Sequence, residues 1–584
     1  MNTASEKKTG LARQAILALV LTLVTGFVFV ANASAEKEVQ LVSDVNPGPS
    51  SSDGSNLTDF KGRLYFTARD GVSGTELRRV TDGGAGSEIV ADINPGKEGS
   101  NPSQLEVVGD QLYFRADNGT AGYELWRTDG TQTSMVEDIE PGAEGSGPLG
   151  LTAFGNQVVF SADTAAAGRE LWISDGDTTT QVMDINPGAS SSSINSLQAL
   201  GGHVYFRAND GVAGAELWRT DGVAAALWED IRPGGNSSNP SGFTVFNGTL
   251  YFSADNGVAG QEPWRTDGVN TELLTDIAPG ATGSNPGTPE PAGGNLYFRA
   301  SNAAFGSELW MTDGNWPVPA TSLVSDIRPG ADGSTPSSLE AVGELLYFSA
   351  DDGISGSEPW RTNGLVTEQV ADVNPGEEDS YPYDFTAFGG ELHFMAEDED
   401  HGYEPWVQGS SGTRLFADLL QGTDSSDSYD FIEIDGALYF YGTDGIVGYE
   451  LWRIAEPAPD TQVTIGILGK KLKVKRNGSA TLRLACPAAE ETGPCKGRVK
   501  VQTKQKVRLK GKKRKVTLSS VPFKVAAGQT KVIRLKFSKP VRRLLASSKA
   551  ARRVVTSARV RDGASNVRTV SKDMKVALTG AKRR

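Results

Sequence analysis

Three short motifs recur nine times each in fixed order, and that repetition limits the fold more than any other property of the chain. The first is Asp-Ile-x-Pro-Gly or a variant, beginning at Asp44, Asp92, Asp138, Asp184, Asp230, Asp276, Asp326, Asp372 and Asp418. The second resembles Leu-Tyr-Phe, as at Leu64, Leu112 and Leu250. The third is Glu-Leu-Trp or Glu-Pro-Trp, with Glu at 76, 124, 170, 216, 262, 308, 358, 404 and 450. The usual period is 46 residues. Each unit reads as four short strands, for which Gln104 to Val108, Gln111 to Ala116, Glu124 to Thr128 and Ser134 to Ile139 serve as the example. Gly109-Asp110 and Asp129-Gly130 are tight turns, because glycine accepts a positive φ. Four strands in about 46 residues is the pattern of a propeller blade.

The ends of the array predict how it closes. It opens on a lone fourth strand, Val39 to Val45, and ends on a unit of three strands finishing at Ile454. If the first segment completes the last blade, the ring has no unpaired edge. The fold class expected is therefore all-β: a closed propeller of about nine four-stranded blades, with an open array as the alternative. From each Asp of the first motif to the next Glu of the third the distance is always 32 residues, whereas the following segment is 16 after Glu76, 18 after Glu308 and 14 elsewhere. Insertions are thus expected on one face only, opposite the Asn-Gly and Pro-Gly loops.

Charge divides the chain. Residues 36–454 carry 65 carboxylates against 19 lysines and arginines, and residues 455–584 carry six against 35. Two domains with different electrostatic partners follow. Lys7, Lys8 and Arg13 ahead of the apolar run Ala15 to Val30 and the small residues Ala31 to Ala35 read as a signal peptide cleaved after Ala35. The organisation expected is a leader at 1–35, the propeller at 36–454, a linker at 455–465 and a basic Ig-like sandwich at 466–584, in a secreted or cell-surface protein. Cys486 and Cys495, the only cysteines, read as a disulfide in such a compartment.

Glu124-Leu125-Trp126-Arg127-Thr128-Asp129-Gly130-Thr131 and Glu216-Leu217-Trp218-Arg219-Thr220-Asp221-Gly222 resemble the bacterial ELWxxDGT repeat family of exported proteins. The resemblance covers about 39–454 and implies a propeller-like fold with no common activity. Blade one departs from it, with Arg78 where Trp is expected, as does Pro405-Trp406-Val407-Gln408-Gly409 after Glu404. Ala116, Asn118, Gly122, Glu124 and Trp126 also resemble the tryptophan-docking motif of quinoprotein dehydrogenases, a likeness that implies shared blade mechanics. Residues 455–584 are loosely similar to the basic tails of bacterial surface proteins.

A residue repeated in all nine units builds blades, since one active site needs one copy. Trp126, Trp172, Trp218, Trp264, Trp310, Trp360, Trp406 and Trp452 are accordingly expected to pack between blades. Six residues before the Glu, eight units have Asp or Asn (Asp70, Asn118, Asp210, Asn256, Asn302, Asp352, Asp398, Asp444), which cap turns or offer oxygen ligands to calcium. Asp398, Asp400 and Glu404 form the candidate Ca²⁺ site, the one cofactor considered. The chain contains no G-x-S-x-G, H-E-x-x-H or P-loop motif, and His203 and His393 fall at strand positions. The reading is a non-catalytic, monomeric binding or adhesion propeller for an extracellular protein or glycan. Its basic domain is expected to hold it to an anionic envelope polymer rather than to nucleic acid. The alternative is an enzyme acting on polysaccharide, a glycoside hydrolase or lyase.

Overall fold

The computed structural model describes residues 37–579, apart from 85, 316–318, 456–465, 487–494, 510–511, 527–528 and 562–566. The expected leader, and the expected linker beyond Ala455, lie outside the described residues. The chain divides after Ala455, and Glu38–Ala455 forms one compact unit.

That unit is a propeller of nine four-stranded antiparallel sheets. Blade two shows the pattern, with strands Ser103–Val108, Gln111–Asp117, Tyr123–Thr128 and Thr133–Glu137. The second and third strands hold the core of each blade: Leu112, Phe114, Ala116 and Leu125 are fully buried. Alternation of apolar and polar residues fails there because both faces of a blade are covered by its neighbours. The eight tryptophans lie between blades as expected. Trp126, for example, shares a cluster with Phe60, Tyr65 and Leu77 of blade one. Trp406 and Trp452 donate their indole N–H to Ala396 O and Gly442 O, at 3.1 and 2.9 Å. Arg78, in the tryptophan position of blade one, pairs instead with Asp70 at 3.4 Å.

The ring closes by strand exchange. Glu38–Ser43 pairs with Glu450–Ala455, Leu41 opposite Trp452 and Val39 opposite Ile454, completing the sheet of Tyr429–Ile434 and Ala437–Gly442. Blade nine then packs on blade one, where Val42, Tyr439 and Tyr441 share a core with Leu64 and Phe66. Both insertions fall in third-to-fourth-strand turns, around Asp82–Gly84 and between Thr312 and Thr321, on the face predicted.

Two of the repeated motifs bind each other. Each motif glutamate is fully buried. The carboxylate of Glu124 accepts from Ile139 N and Glu140 N, both at 3.3 Å, and from Ser146 N and Oγ at 2.7 and 2.6 Å. It therefore fixes the Asp-Ile-x-Pro-Gly loop that leads into the next blade. Glu450 does the same across the closure, accepting from Val45 N at 3.0 Å and Asn46 N at 3.3 Å. The glycine before it is required sterically: a Cβ on Gly122, at φ +65°, would lie 2.5 Å from Gly145 N.

The C-terminal unit is a two-sheet sandwich, as expected. Strands Gly466–Leu468, Ser479–Ala485 and Thr530–Lys536 form one sheet; Lys471–Val474, Val567–Leu578, Arg553–Arg561, Cys495–Thr503 and Thr517–Val525 form the other. Leu482, Leu484 and Leu535 of the first meet Val499, Val501 and Val554 of the second in one core. Cys486 and Cys495 are disulfide-bonded. A helix at Lys539–Ser547, led by Ser538 and Pro540 and burying Leu544 and Leu545, is an element the sequence reading did not anticipate.

Candidate functional site

The first strand of each blade lines the central channel, and in eight blades it carries a bulge. The register shifts between its first and fourth residues, as between Ser55 and Thr58 or Tyr383 and Thr386. The second residue then stands in the left-handed region, as at Asn56 (φ 58°), Ser338 (51°), Asp384 (53°) and Asp430 (62°). Glycine meets that need in blades three and five, at Gly150 and Gly242. Blade six lacks the bulge, because Pro289 and Pro291 cannot donate to the ladder and leave a first strand of only Glu290–Ala292.

The channel is not uniform. Asp384 and Asp430 occupy bulge positions that are Asn, Gln, Gly, Ser or Thr in the other blades. With Ser55, Asn56, Glu340 and Thr386 they line a cavity of about 610 Å³ among blades nine, one, seven and eight. Asp384 Oδ2 accepts from Asp430 N at 2.7 Å, tying the two blades together. Burial raises the pKa of Asp384, and the charge on Asp430 adds to it. Glu340 is raised by desolvation first and then by Glu290 and Asp384. The carboxylates thus form an arc in which each opposes the ionisation of its neighbours.

Two tyrosines adjoin this arc, Tyr383 beside Asp384 and Tyr429 beside Asp430. Tyr383, Tyr403, Tyr429 and Tyr449 stand at strand ends of blades eight and nine, and Tyr381 precedes them. Tyr383 and Tyr403 rings lie 6.1 Å apart. Tyr383 Oη donates to Ser428 O at 2.8 Å and Tyr429 Oη to Gly54 O at 3.0 Å, fixing both rings. Tyr449 Oη donates to Asp427 Oδ2 at 2.7 Å. Burial, with nearby carboxylates, pushes Tyr403, Tyr429 and Tyr449 to about 12. These phenols are therefore neutral donors at physiological pH. Tyr381 is 52% exposed yet holds φ 42°, strained for a bulky side chain. Aromatic faces beside oxygen acceptors suit a ligand rich in hydroxyl or ammonium donors.

The expected calcium ligands do not converge. Asp398 caps its own turn, accepting from His401 N at 2.7 Å and lying 2.9 Å from His401 Nδ1. Glu404 points into the blade, where it accepts from Leu419 N, Leu420 N and Ser426 N at 2.9, 3.1 and 3.2 Å. Asp400 is left alone on the exposed turn, and among the described residues no group of three His, Cys, Asp or Glu is placed to hold a metal ion. The equivalent Asp and Asn residues are turn caps, as Asn118 shows by accepting from Thr120 N and Ala121 N at 2.9 and 2.8 Å. His393 is buried between Phe388 and Phe416. His203 lines a cavity at the opposite end of the blades, between blades three and four.

The buried glutamates give the propeller a pH dependence. Desolvation raises Glu358 and Glu404 to about 7 from 4.5, against the pull of their donors. A folded-state pKa above the unfolded one means the fold binds the proton more tightly, so this stability is present below 4.5 and is lost as pH rises through 7. The melting temperature is expected to be higher at pH 5.5 than at pH 8 at fixed ionic strength. Glu358→Gln should flatten that slope, and an equal or rising melting temperature toward pH 8 would contradict it.

No protein-family model matches the chain, and no curated protein matches it. Among solved structures it is similar to Sqt1 of Saccharomyces cerevisiae, with 9% identity and TM-score 0.35 over 73% of this chain and 99% of that one. It is similar to the β-propeller domain of the Trilobed protease of Pyrococcus furiosus, with 9% identity and TM-score 0.29 over 55% and 98%. With a prolyl endopeptidase it shares 10% identity at TM-score 0.34 over 66% of this chain; the alignment spans 54% of the endopeptidase. The class defined by the chain's own geometry is a closed β-propeller with a C-terminal β-sandwich.

Proposed function

We propose that this chain is an exported, non-catalytic binding protein of the ELWxxDGT repeat type. Its propeller takes an extracellular ligand, a glycan or a glycan-bearing protein, at the acidic mouth of the channel beside Tyr383 and Tyr429, and its basic sandwich retains it at the cell envelope. One observation carries the reading. Blades eight and nine alone carry Asp at the bulge, and they also hold Tyr381, Tyr383, Tyr403, Tyr429 and Tyr449, of which Tyr383 and Tyr429 lie beside Asp384 and Asp430. Ordered rings offer stacking area at little entropic cost, and fixed carboxylates orient hydroxyl donors.

Calorimetric titration of the full chain against a panel of soluble glycans tests this. At least one glycan is expected to bind and to be recovered unchanged. The Asp384→Asn/Asp430→Asn variant should bind it at least about tenfold more weakly, the loss of one to two charged hydrogen bonds. Shortened glycan products that vanish in that variant would replace the binding reading by the polysaccharide-enzyme reading.

A further inference from the structure

The outer face of the five-stranded sheet in the C-terminal unit is built against itself electrostatically. Along Cys495–Thr503 the odd-numbered side chains Cys495, Val499 and Val501 are buried, so Lys496, Arg498 and Lys500 project outward. Lys496 stands directly opposite Lys524, and Arg498 directly opposite Arg559. Arg553 stands opposite Lys575 on the same face. Like charges in register on neighbouring strands repel and destabilise a sheet. The hairpin of Val507–Leu509 and Lys512–Arg514 joins Cys495–Thr503 to Thr517–Val525 and repeats the arrangement, Arg508 opposite Lys513. Among the described residues of this unit Asp573 is the single carboxylate, and it is paired with Lys504.

The kind of partner follows from what else the face holds. The aromatic residues of 455–584 are Phe523 and Phe537, both buried, so no stacking platform for bases is present. Large exposed apolar side chains described in the unit are Leu468 and Val532, neither on this sheet, so among the described residues this face carries no wedge for a lipid surface. Along Cys495–Thr503 outward cations recur every second residue, at Lys496, Arg498 and Lys500, about 6.8 Å apart. Two guanidinium groups face one another at Arg498 and Arg559, and such planar forks match tetrahedral oxyanions.

We infer that this sheet face, extended by the basic hairpin, is a docking surface for a linear phosphodiester polymer of the cell envelope. The inference rests on the envelope-retention part of the proposed function and names the ligand of that part. Phosphate groups along the polymer would seat on successive cation pairs and relieve their mutual repulsion, with release of counterions.

Binding of the full chain to immobilised poly(glycerol phosphate) at 50 and 500 mM NaCl is the test, with duplex DNA, polyglutamate and anionic phosphatidylglycerol vesicles as parallel probes. The expected result is tight binding to poly(glycerol phosphate) at low salt, lost at high salt and weaker for the other three. Arg498→Gln/Arg559→Gln and Arg508→Gln/Lys513→Gln should each weaken it at least tenfold. Because each removes a repulsive pair, the melting temperature should stay level or rise, which separates lost binding from lost folding. Equal or tighter binding to DNA, polyglutamate or vesicles would overturn the assignment, as would undiminished binding by both variants. If salt nevertheless washes the protein from cells, retention by charge stands and only the phosphodiester assignment fails.

Discussion

Deleting Glu38–Ser43 is expected to lower the melting temperature of the propeller by about 5 °C or more and to make the chain prone to aggregation. The segment supplies the fourth strand of blade nine and pairs along Glu450–Ala455. Val42 is 4% exposed, and Val39 and Leu41 pack beside Phe388, Phe440 and Trp452. At about 1.5–3 kcal/mol for a fully buried aliphatic side chain, discounted for two that are half-buried, their loss amounts to about 5 kcal/mol. The freed edge of Glu450–Ala455 is a template for another chain. Scanning calorimetry with light scattering reads both effects. An unchanged melting temperature would mean that the ring does not depend on this strand.

The second large effect is expected at a motif glutamate. Glu216 accepts from Ile231 N at 2.9 Å, Arg232 N at 3.4 Å, and Ser238 N and Oγ at 2.7 and 2.6 Å. Glu216→Ala leaves buried donors without acceptors, at about 1–3 kcal/mol for each one that water cannot reach, or about 4–6 kcal/mol together. Glu216→Gln keeps the shape and one acceptor oxygen and should recover about half of that. Glu88→Ala removes an exposed partner of Arg79, 2.8 Å away, and should cost about 0–1 kcal/mol. Denaturant unfolding of the three variants gives the comparison, and a loss at Glu216 no greater than at Glu88 would refute the clamp.

Much of this fold is readable from one sequence because a nine-fold repeat is an internal alignment. Strand order, the sorting of loops between two faces and the exchange of Val39 to Val45 into the last blade all follow from motif positions. Strand ends shift by a residue or two, as Tyr123–Thr128 does against Glu124 to Thr128, since a turn residue can pair without announcing itself. Blade six was not distinguished, although Pro289 and Pro291 were the signal. The helix at Lys539–Ser547 is nine residues long and one-third basic, and its apolar set of Val541, Leu544 and Leu545 spans only about one turn, too short a pattern to stand out among strands.

The acidic cavity of the channel escapes a sequence reading for a different reason. Constant loop lengths suggest a uniform ring, and no loop is elaborated there. The individuality of blades eight and nine lies in side chains at fixed positions, where Tyr383 and Tyr429 replace Ser, Leu, Asn or Gly, and Tyr403 and Tyr449 replace mostly small residues. Reading each repeat position as a column across the nine units would have exposed it. The calcium candidate erred the opposite way. Asp398, Asp400 and Glu404 alternate in sequence, but Glu404 belongs to the blade-building set and is turned inward, away from the turn that Asp398 caps.

The backbone of the channel bulge takes nearly the same left-handed conformation whether Gly150, Asn56, Ser196 or Asp430 stands there, with φ between 57° and 66°. Exchanging one of these side chains for another leaves the backbone path in place and changes only the contacts that the blades make between them: Gln104 and Asp384 accept from the next bulge's N–H, and a Cβ on Gly150 would lie 2.9 Å from the Leu197 side chain. The eight bulges thus repeat one backbone geometry, and what differs from blade to blade is the side chain each holds at the channel.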